Sequence, residues 1–251
     1  ELKDLVERRI RPWMQRCCAE HVECQQAEKE TSGQLPTRLI DLGPSATSPI
    51  KVIETSAQRE ITDRIEYLIL SYCWGECNDT AKTTRFNLHH RLDSLEVDKF
   101  PATIRDAISL TRALEIRYIW IDAICIIQPS DDGYYDDLRR EGTKMASYYT
   151  NAMCCISVSS SPDSSHSFLT ERRLMRQSWH PKLASREPEI TREVLGSKWL
   201  EFVEYYATTD LSFPSDRLDA INGIVRYLSE RHQDQYFGGI FSSCPEKGLL
   251  W

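Results

Sequence analysis

Apolar and polar positions alternate along this chain with two different periods. Where the apolar run is short and unbroken the pattern predicts a buried strand; where it recurs every three or four residues it predicts a helix. Tyr67-Leu-Ile-Leu-Ser71-Tyr-Cys-Trp74-Gly75 and Tyr118-Ile-Trp-Ile-Asp122-Ala-Ile-Cys125-Ile-Ile-Gln128 are of the first kind. Each is an apolar run that ends in polar and aromatic residues. Between them, Pro101 to Leu114 is of the second kind, with Ile104, Ala107, Ile108, Thr111 and Leu114 on one face and a proline in its first turn. Strand, helix, strand in that order predicts a parallel α/β unit, and such units bind ligands at the carboxyl ends of their strands.

The same reading extends to the rest of the chain. Leu2, Leu5, Ile10, Trp13 and Met14 predict an N-terminal helix over residues 1 to about 30. Thr37–Asp41 and Ile50–Glu54 read as short strands, and Glu76 to about Asp98 as a polar loop with weak helical content. Asp136–Tyr149 reads as one helix whose apolar face holds Leu138, Met145, Tyr148 and Tyr149, and Met153–Ser159 as a third strand. Helices are expected over Ser197–Tyr206 and from a cap at Ser215, with Leu218, Ile221, Val225 and Leu228 inward. The fold class expected is α/β, a short and mainly parallel sheet flanked by helices, with an N-terminal helix and a helical C-terminal extension packed on the core. The expected divisions are 1–60, 61–169 and 170–251.

The bulk numbers narrow the function. At 251 residues and 41% hydrophobic, the chain can bury a core. A net charge of −7 disfavours a nucleic-acid backbone as partner. No stretch approaches the roughly 18 apolar residues that a membrane span needs. The nine cysteines are scattered, several inside apolar runs, and no secretory leader is visible; reduced thiols and a cytoplasmic setting follow as expectations.

Three groups of residues are candidates for chemistry. Glu141 lies three residues after Leu138 and seven before Tyr148, which puts a carboxylate inside the apolar stripe of its helix. It is then either half of an ion pair, with Arg105 or Arg117, or an acid facing a cavity with its pKa raised by burial. Asp122 stands where a core strand emerges and is either a ligand contact or a hydrogen-bonded cap. Ser71, Trp74 and Gly75 stand at the equivalent end of the other strand: a hydroxyl for a phosphate or ribose, a ring for stacking or for packing, and a glycine for close backbone approach. Cys17 (with Cys18 beside it), His21 and Cys24 share a helical face, either as half of a zinc site or as packing. No phosphate-binding glycine loop, nucleophile elbow or zinc-protease motif is present.

Taken in order, Tyr67–Gly75, Phe100-Pro-Ala-Thr-Ile-Arg-Asp-Ala-Ile108, Tyr118–Gln128 and Met145-Ala-Ser-Tyr-Tyr-Thr-Asn-Ala152 resemble the heterokaryon incompatibility (HET) domain of fungi. Leu35–Asp41 and the Trp13/Cys17/His21/Cys24 pattern resemble the part that precedes that domain, and Asp216–Gly223 with Leu249–Trp251 the part that follows it. The resemblance covers residues 1 to 169 and about 197 to 251. A block with Trp and Gln-Glu that the family usually carries between these parts is not found in 170–196. The resemblance implies a role in cell death after fusion of unlike cells, through an oligomer or a protein partner. It also implies a distant likeness to Toll/interleukin-1 receptor domains, some of which cleave NAD with a helix-borne Glu. Glu141 occupies the comparable place, and Asp122, the other catalytic residue, would with Ser71 orient Glu141 or the ribose. Ser71, Trp74, Gly75, Arg105 and Gln128 would bind the substrate, and no cofactor is required. The rival readings are a non-enzymatic self-assembling or partner-binding module, and a HET scaffold recruited to biosynthesis of a small molecule.

Overall fold

In the computed structural model, residues 2–20, 35–45, 47–57, 65–130, 132–159, 161–170, 191–207, 217–237 and 240–243 are described. The chain divides into two compact units, 1–170 and 171–251. The first is built on a five-stranded sheet of β1 (Arg38–Asp41), β2 (Lys51–Glu54), β3 (Tyr67–Tyr72), β4 (Tyr118–Trp120) and β5 (Cys154–Val158), in the order β2-β1-β4-β3-β5. β3 runs parallel to both β4 and β5, with Leu68 opposite Ile119 on one side and Cys154 on the other. β1 is antiparallel to β4 and β2. The structure is thus the expected α/β fold with a mostly parallel sheet.

All of β1 and β4 and the first four residues of β3 are buried. A strand buried on both faces reads as a continuous apolar run, which is why Tyr67-Leu-Ile-Leu and Tyr118-Ile-Trp-Ile lack alternation. Each fully buried Leu or Ile contributes roughly 1.5–3 kcal/mol. Trp120 adds edge-on ring contacts with Tyr148 at 5.8 Å and Tyr149 at 6.1 Å.

The helices of this unit begin with α1 (Leu2–Leu5), which passes through a π turn into α2 (Arg11–Glu20). Arg11 ties α2 to Glu115 at 2.9 Å. There follow α3 (Leu88–Asp93), α4 (Ala102–Ala113), α5 (Asp122–Cys125), α6 (Asp136–Gly142) and α7 (Met145–Asn151). α4 is the crossover between β3 and β4, and its buried face is Thr103, Ile104, Ala107, Ile108, Leu110 and Thr111.

Three expectations need correcting. The strand from Tyr118 stops at Trp120, because Asp122 starts the short helix α5. The single helix expected over 136–149 is two, broken at Thr143–Lys144 and extending to Asn151. The polar stretch after β3 is ordered: a 3₁₀ turn over Glu76–Ala81 and then α3. That turn packs against α5, and Thr83 seals the contact by donating its amide to the Ala123 carbonyl at 2.9 Å.

The second unit holds α8 (Arg192–Ala207), α9 (Arg217–His232) and the two-stranded β6 (Tyr236–Phe237) and β7 (Ile240–Phe241). Trp199 is its centre, with Phe241 at 5.3 Å and Tyr236 at 5.5 Å, both edge-on. Ile221 and Val225 of α9 are buried with it, as their spacing predicts.

Candidate functional site

The carboxyl ends of β3 and β4 bring Trp74 and Asp122 together, and Ser71 is the last residue but one of β3. Asp122 is the first residue of α5, directly after the β4 strand, and is half-buried. The Trp74 indole N–H donates to both its oxygens, at 3.0 Å to Oδ2 and 3.2 Å to Oδ1, and the Ala123 amide donates to Oδ1 at 2.7 Å. Burial raises the Asp122 pKa to about 6, and these donors offset only part of that cost. The backbone amide of Asp122 is a further donor to its own carboxyl.

Two phenols feel the charge of this acid. Tyr72, the last residue of β3, has its phenol pKa pushed up by burial and then by the Asp122 charge. Tyr149 of α7 is raised for the same two reasons, and its hydroxyl is hydrogen-bonded with that of Ser71. Gln128 is buried below; its amide donates to the Asp122 carbonyl at 3.2 Å and shapes the turn after α5.

Gly75 is required where it stands. Its φ is +62°, a region that side chains rarely adopt, and a Cβ there would lie 2.3 Å from the Cβ of Asp163. The close approach docks the 163–169 segment onto the end of β3. Ser164 Oγ donates to the Trp74 carbonyl at 2.8 Å, and Asp106 of α4 accepts from the Phe168 amide at 2.8 Å. Within the segment, hydrogen bonds from Ser165 and His166 hold the Asp163 carboxyl down at about 2.

Arg105 is not part of this group. It lies on the exposed side of α4 and lines a separate shallow cavity of about 300 Å³ with Cys77, Thr80, Lys99, Pro101 and Ser165.

Glu141 is 1% exposed, so the stripe argument for its burial holds, and it takes the ion-paired form, with cations other than those expected. Tyr148 donates to its Oε2 at 2.8 Å, and Thr37 Oγ1 to its Oε1 at 2.8 Å. Lys144 Nζ is 3.3 Å and Arg140 Nε 3.5 Å from Oε1. Burial works to raise the pKa; the Tyr148 and Thr37 hydrogen bonds and the Lys144 charge outweigh it, and the net shift is downward. The raised pKa is therefore corrected to a lowered one, and the expected partners Arg105 and Arg117 to Lys144 and Arg140. Arg117 instead forms a two-pronged pair with Asp41, 2.8 Å on each prong.

Next to Glu141, Arg38 of β1 is paired with Asp137 of α6 in full burial; Arg38 also donates to the Cys125 carbonyl at 2.7 Å, and Asp137 accepts the Ile127 amide at 2.8 Å. The Tyr67 hydroxyl donates to the Tyr148 carbonyl at 2.6 Å. This knot binds β1, β3, α6 and α7 to the chain after α5.

Two residues linked to this end of the sheet escape the sequence reading as polar groups: Tyr149, read as helix packing, and Asn78, which lies in a stretch read as loop and accepts the Tyr72 hydroxyl at 3.2 Å. Tyr149 does pack against Trp120 as its helix pattern predicts; what the pattern cannot show is the hydroxyl's hydrogen bond with Ser71. Cys17 lies on α2, while His21 and Cys24 lie outside the described residues. Among the described residues no three His, Cys, Asp or Glu side chains gather closely enough to hold a metal. No described helix is long and apolar enough to cross a membrane.

A mostly parallel sheet with an acid, a serine and aromatic rings at its strand ends defines an α/β domain with its candidate site in the usual place for that class. The family described as heterokaryon incompatibility protein (HET) matches residues 67–216, and the chain belongs to it. No curated protein and no solved structure matches the chain.

Proposed function

We propose that this protein is a cell-death effector of heterokaryon incompatibility and that it cleaves the glycosidic bond of NAD at the Asp122 end of the sheet. The observation that carries the reading is Asp122 itself: a half-buried carboxyl, raised to about 6, bonded to Trp74 and felt by Tyr72 and Tyr149, the second of which is hydrogen-bonded with Ser71. Glu141, with all its donors in place, serves as the anchor of α6 and α7.

The chemistry runs as a hydrolysis. The bond between ribose C1′ and the nicotinamide nitrogen breaks, and its electron pair leaves with neutral nicotinamide. Positive charge develops at C1′, and the ionised Asp122 stabilises it, as carboxylates do in glycoside cleavage. Water adds at C1′ and gives up a proton, which a carboxylate with a pKa near 6 can accept and release at neutral pH. Ser71 and Tyr149 orient the ribose hydroxyls.

The test is incubation of the purified protein with NAD, read as free nicotinamide. Release is expected from the wild type and loss of release from a folded Asp122→Asn variant. If the wild type releases none, even when forced to oligomerise, hydrolysis is abandoned.

A second reading, a module that assembles with copies of itself, is favoured by β5. Among the described residues it pairs with β3 alone, and Cys154-Cys-Ile-Ser-Val158 carries none of the charges or prolines that commonly guard an open sheet edge.

A further inference from the structure

Buried polar side-chain atoms are nearly always hydrogen-bonded, and one that is not calls for a reason. Among the described residues three such atoms have no partner: Arg11 Nε, Ser243 Oγ and Asn78 Nδ2. Arg11 spends its other nitrogens on Glu115 and the Ala113 carbonyl, and Ser243 belongs to the second unit. Asn78 is the one that stands at the strand ends. It is 1% exposed, on the 3₁₀ turn that packs against α5, the helix Asp122 begins. The Tyr72 hydroxyl donates to its Oδ1 at 3.2 Å, which leaves the two Nδ2 protons as donors. Tyr72 is also the phenol that feels the Asp122 charge, so Asn78, Tyr72 and Asp122 form one neighbourhood.

A buried donor without an acceptor thus lies on the turn packed against α5, the helix that begins with the Asp122 carboxylate. A ligand that satisfies both must offer a carbonyl oxygen to Asn78 and an N–H to Asp122 from one small planar group. A primary carboxamide has that pairing. We propose that Asn78 is a ligand-recognition residue, and that with Asp122 it reads the carboxamide of the molecule bound at the ends of β3 and β4. The inference rests on the reading of the Asp122 end as the working site, and it deepens that reading by naming the chemical group recognised there. Asn78 takes no part in bond breaking; it sets which substrate is held and in what orientation. The pairing also gives selectivity, because an analogue that lacks the N–H leaves a buried acceptor unmatched and one that carries a carboxylate meets Asp122 with like charge.

The test separates recognition from hydrolysis. Binding of nicotinamide and of nicotinate to the full chain is measured by thermal shift and by titration, in the wild type and in Asn78→Leu/Tyr72→Phe. The double variant replaces both hydrogen-bonding partners with apolar groups, so it is expected to melt no lower than the wild type without ligand. The wild type is expected to bind nicotinamide about tenfold more tightly than nicotinate, and the variant to lose that preference. Nicotinamide bound equally by wild type and variant, as when water alone serves Asn78, overturns the inference. So does a wild type that does not bind nicotinamide, or that prefers nicotinate. Selective binding without release of nicotinamide from NAD upholds the inference and defeats only the hydrolase reading. If the single variant Asn78→Asp keeps the fold, it is expected to favour neither ligand, since it places a second carboxylate against the site.

Discussion

Glu141 and Asp122 both lie within electrostatic reach of the Cys125 thiol, which burial first and these two charges after it push up to about 12, yet the protein treats the two acids in opposite ways. Glu141 sits in a knot that supplies two hydroxyls and two cations to its oxygens, and its pKa falls. Asp122 receives an indole N–H and two backbone amides, those of Ala123 and of Asp122 itself, but no cation, and its pKa rises to about 6. Burial acts on both in the same direction; the supply of donors decides the outcome. An acid with its full set of donors stabilises a fold, whereas one held short of donors costs stability and exchanges its proton close to neutral pH. The second is the condition in which a carboxyl is useful for acid–base work.

The largest effect is expected where the knot is broken. Asp137→Ala leaves Arg38 buried, 3% exposed, without its counter-charge, and unpairing a buried ion costs about 3–5 kcal/mol. Urea unfolding should show a loss of that size or an unfolded chain; a midpoint close to the wild type would mean that the knot does not hold the fold. Glu141→Gln should lose less, about 1–3 kcal/mol, because the single amide oxygen still accepts from one of the two hydroxyls and the NH2 can donate to the other's oxygen, while the charge that attracts Lys144 and Arg140 is gone. Since the folded pKa of Glu141 is lowered, its contribution is complete above the ordinary value of 4.5 and is lost as the pH falls through the folded value. The gap between Glu141→Gln and wild type should therefore close on acidification.

Asp122→Asn should move stability the other way. The folded pKa is raised from 3.8 to about 6, so the folded state holds its proton over that range while the unfolded state releases it, and stability falls as the pH rises through the interval. Above pH 6 the ionised acid costs about 2–3 kcal/mol, at 1.36 kcal/mol per unit. The neutral amide, still able to accept from Trp74, should recover much of that at pH 7.5 and almost none near pH 4, in thermal melts at both values. A variant that is no more stable than wild type at pH 7.5 would place Asp122 among ordinary paired acids and erase the contrast with Glu141.

The sheet was legible because its central strands are covered on both faces: Tyr67–Leu70 and Tyr118–Ile121 leave no other reading for so compact an apolar run. Their parallel direction followed from the amphipathic crossover helix between them. The site was half legible. Asp122, Ser71 and Trp74 were visible because a strand's end is a fixed place, and position alone suggested a ligand contact. Glu141 was visible as buried, but periodicity reports which residues face inward and not what meets them there. Its donors come from Thr37, 104 residues away, and from residues on its own and the next helix, and whether a buried carboxyl gains or loses protons depends on those donors. Asn78 could not be seen at all, since nothing in Glu76–Ala81 announces a turn that folds back over α5.

Gly75→Ala acts on the Asp122 end only. A residue other than glycine at φ +62° carries strain of about 1–3 kcal/mol, and the new Cβ would also drive off Asp163. The expected result is a modest fall in the melting temperature together with faster amide exchange over 161–170 and around Trp74, with the Arg38–Asp137 region unchanged. Exchange that rises equally in both places would show that the two regions open as one unit.

Trp74→Phe is the mildest change and the most specific to the comparison. It keeps most of the ring and deletes the one donor that reaches both oxygens of Asp122. The hydrogen bond is worth about 1 kcal/mol net, so stability should change little. The effect on protonation is separable. The Trp74 N–H is among the groups that lower the Asp122 pKa against the larger push from burial, so without it the value should climb further above 6, by somewhat under one unit. If Asp122 works in its ionised form, the acid limb of the pH–rate profile should shift to higher pH in Trp74→Phe while the plateau at alkaline pH stays near the wild type. The same substitution should leave Glu141 untouched, since none of its donors comes from this end of the sheet. A fall in rate that is uniform across pH would mean that Trp74 serves the ligand directly, as a packing surface, and that the low supply of donors at Asp122 is set by α5 alone.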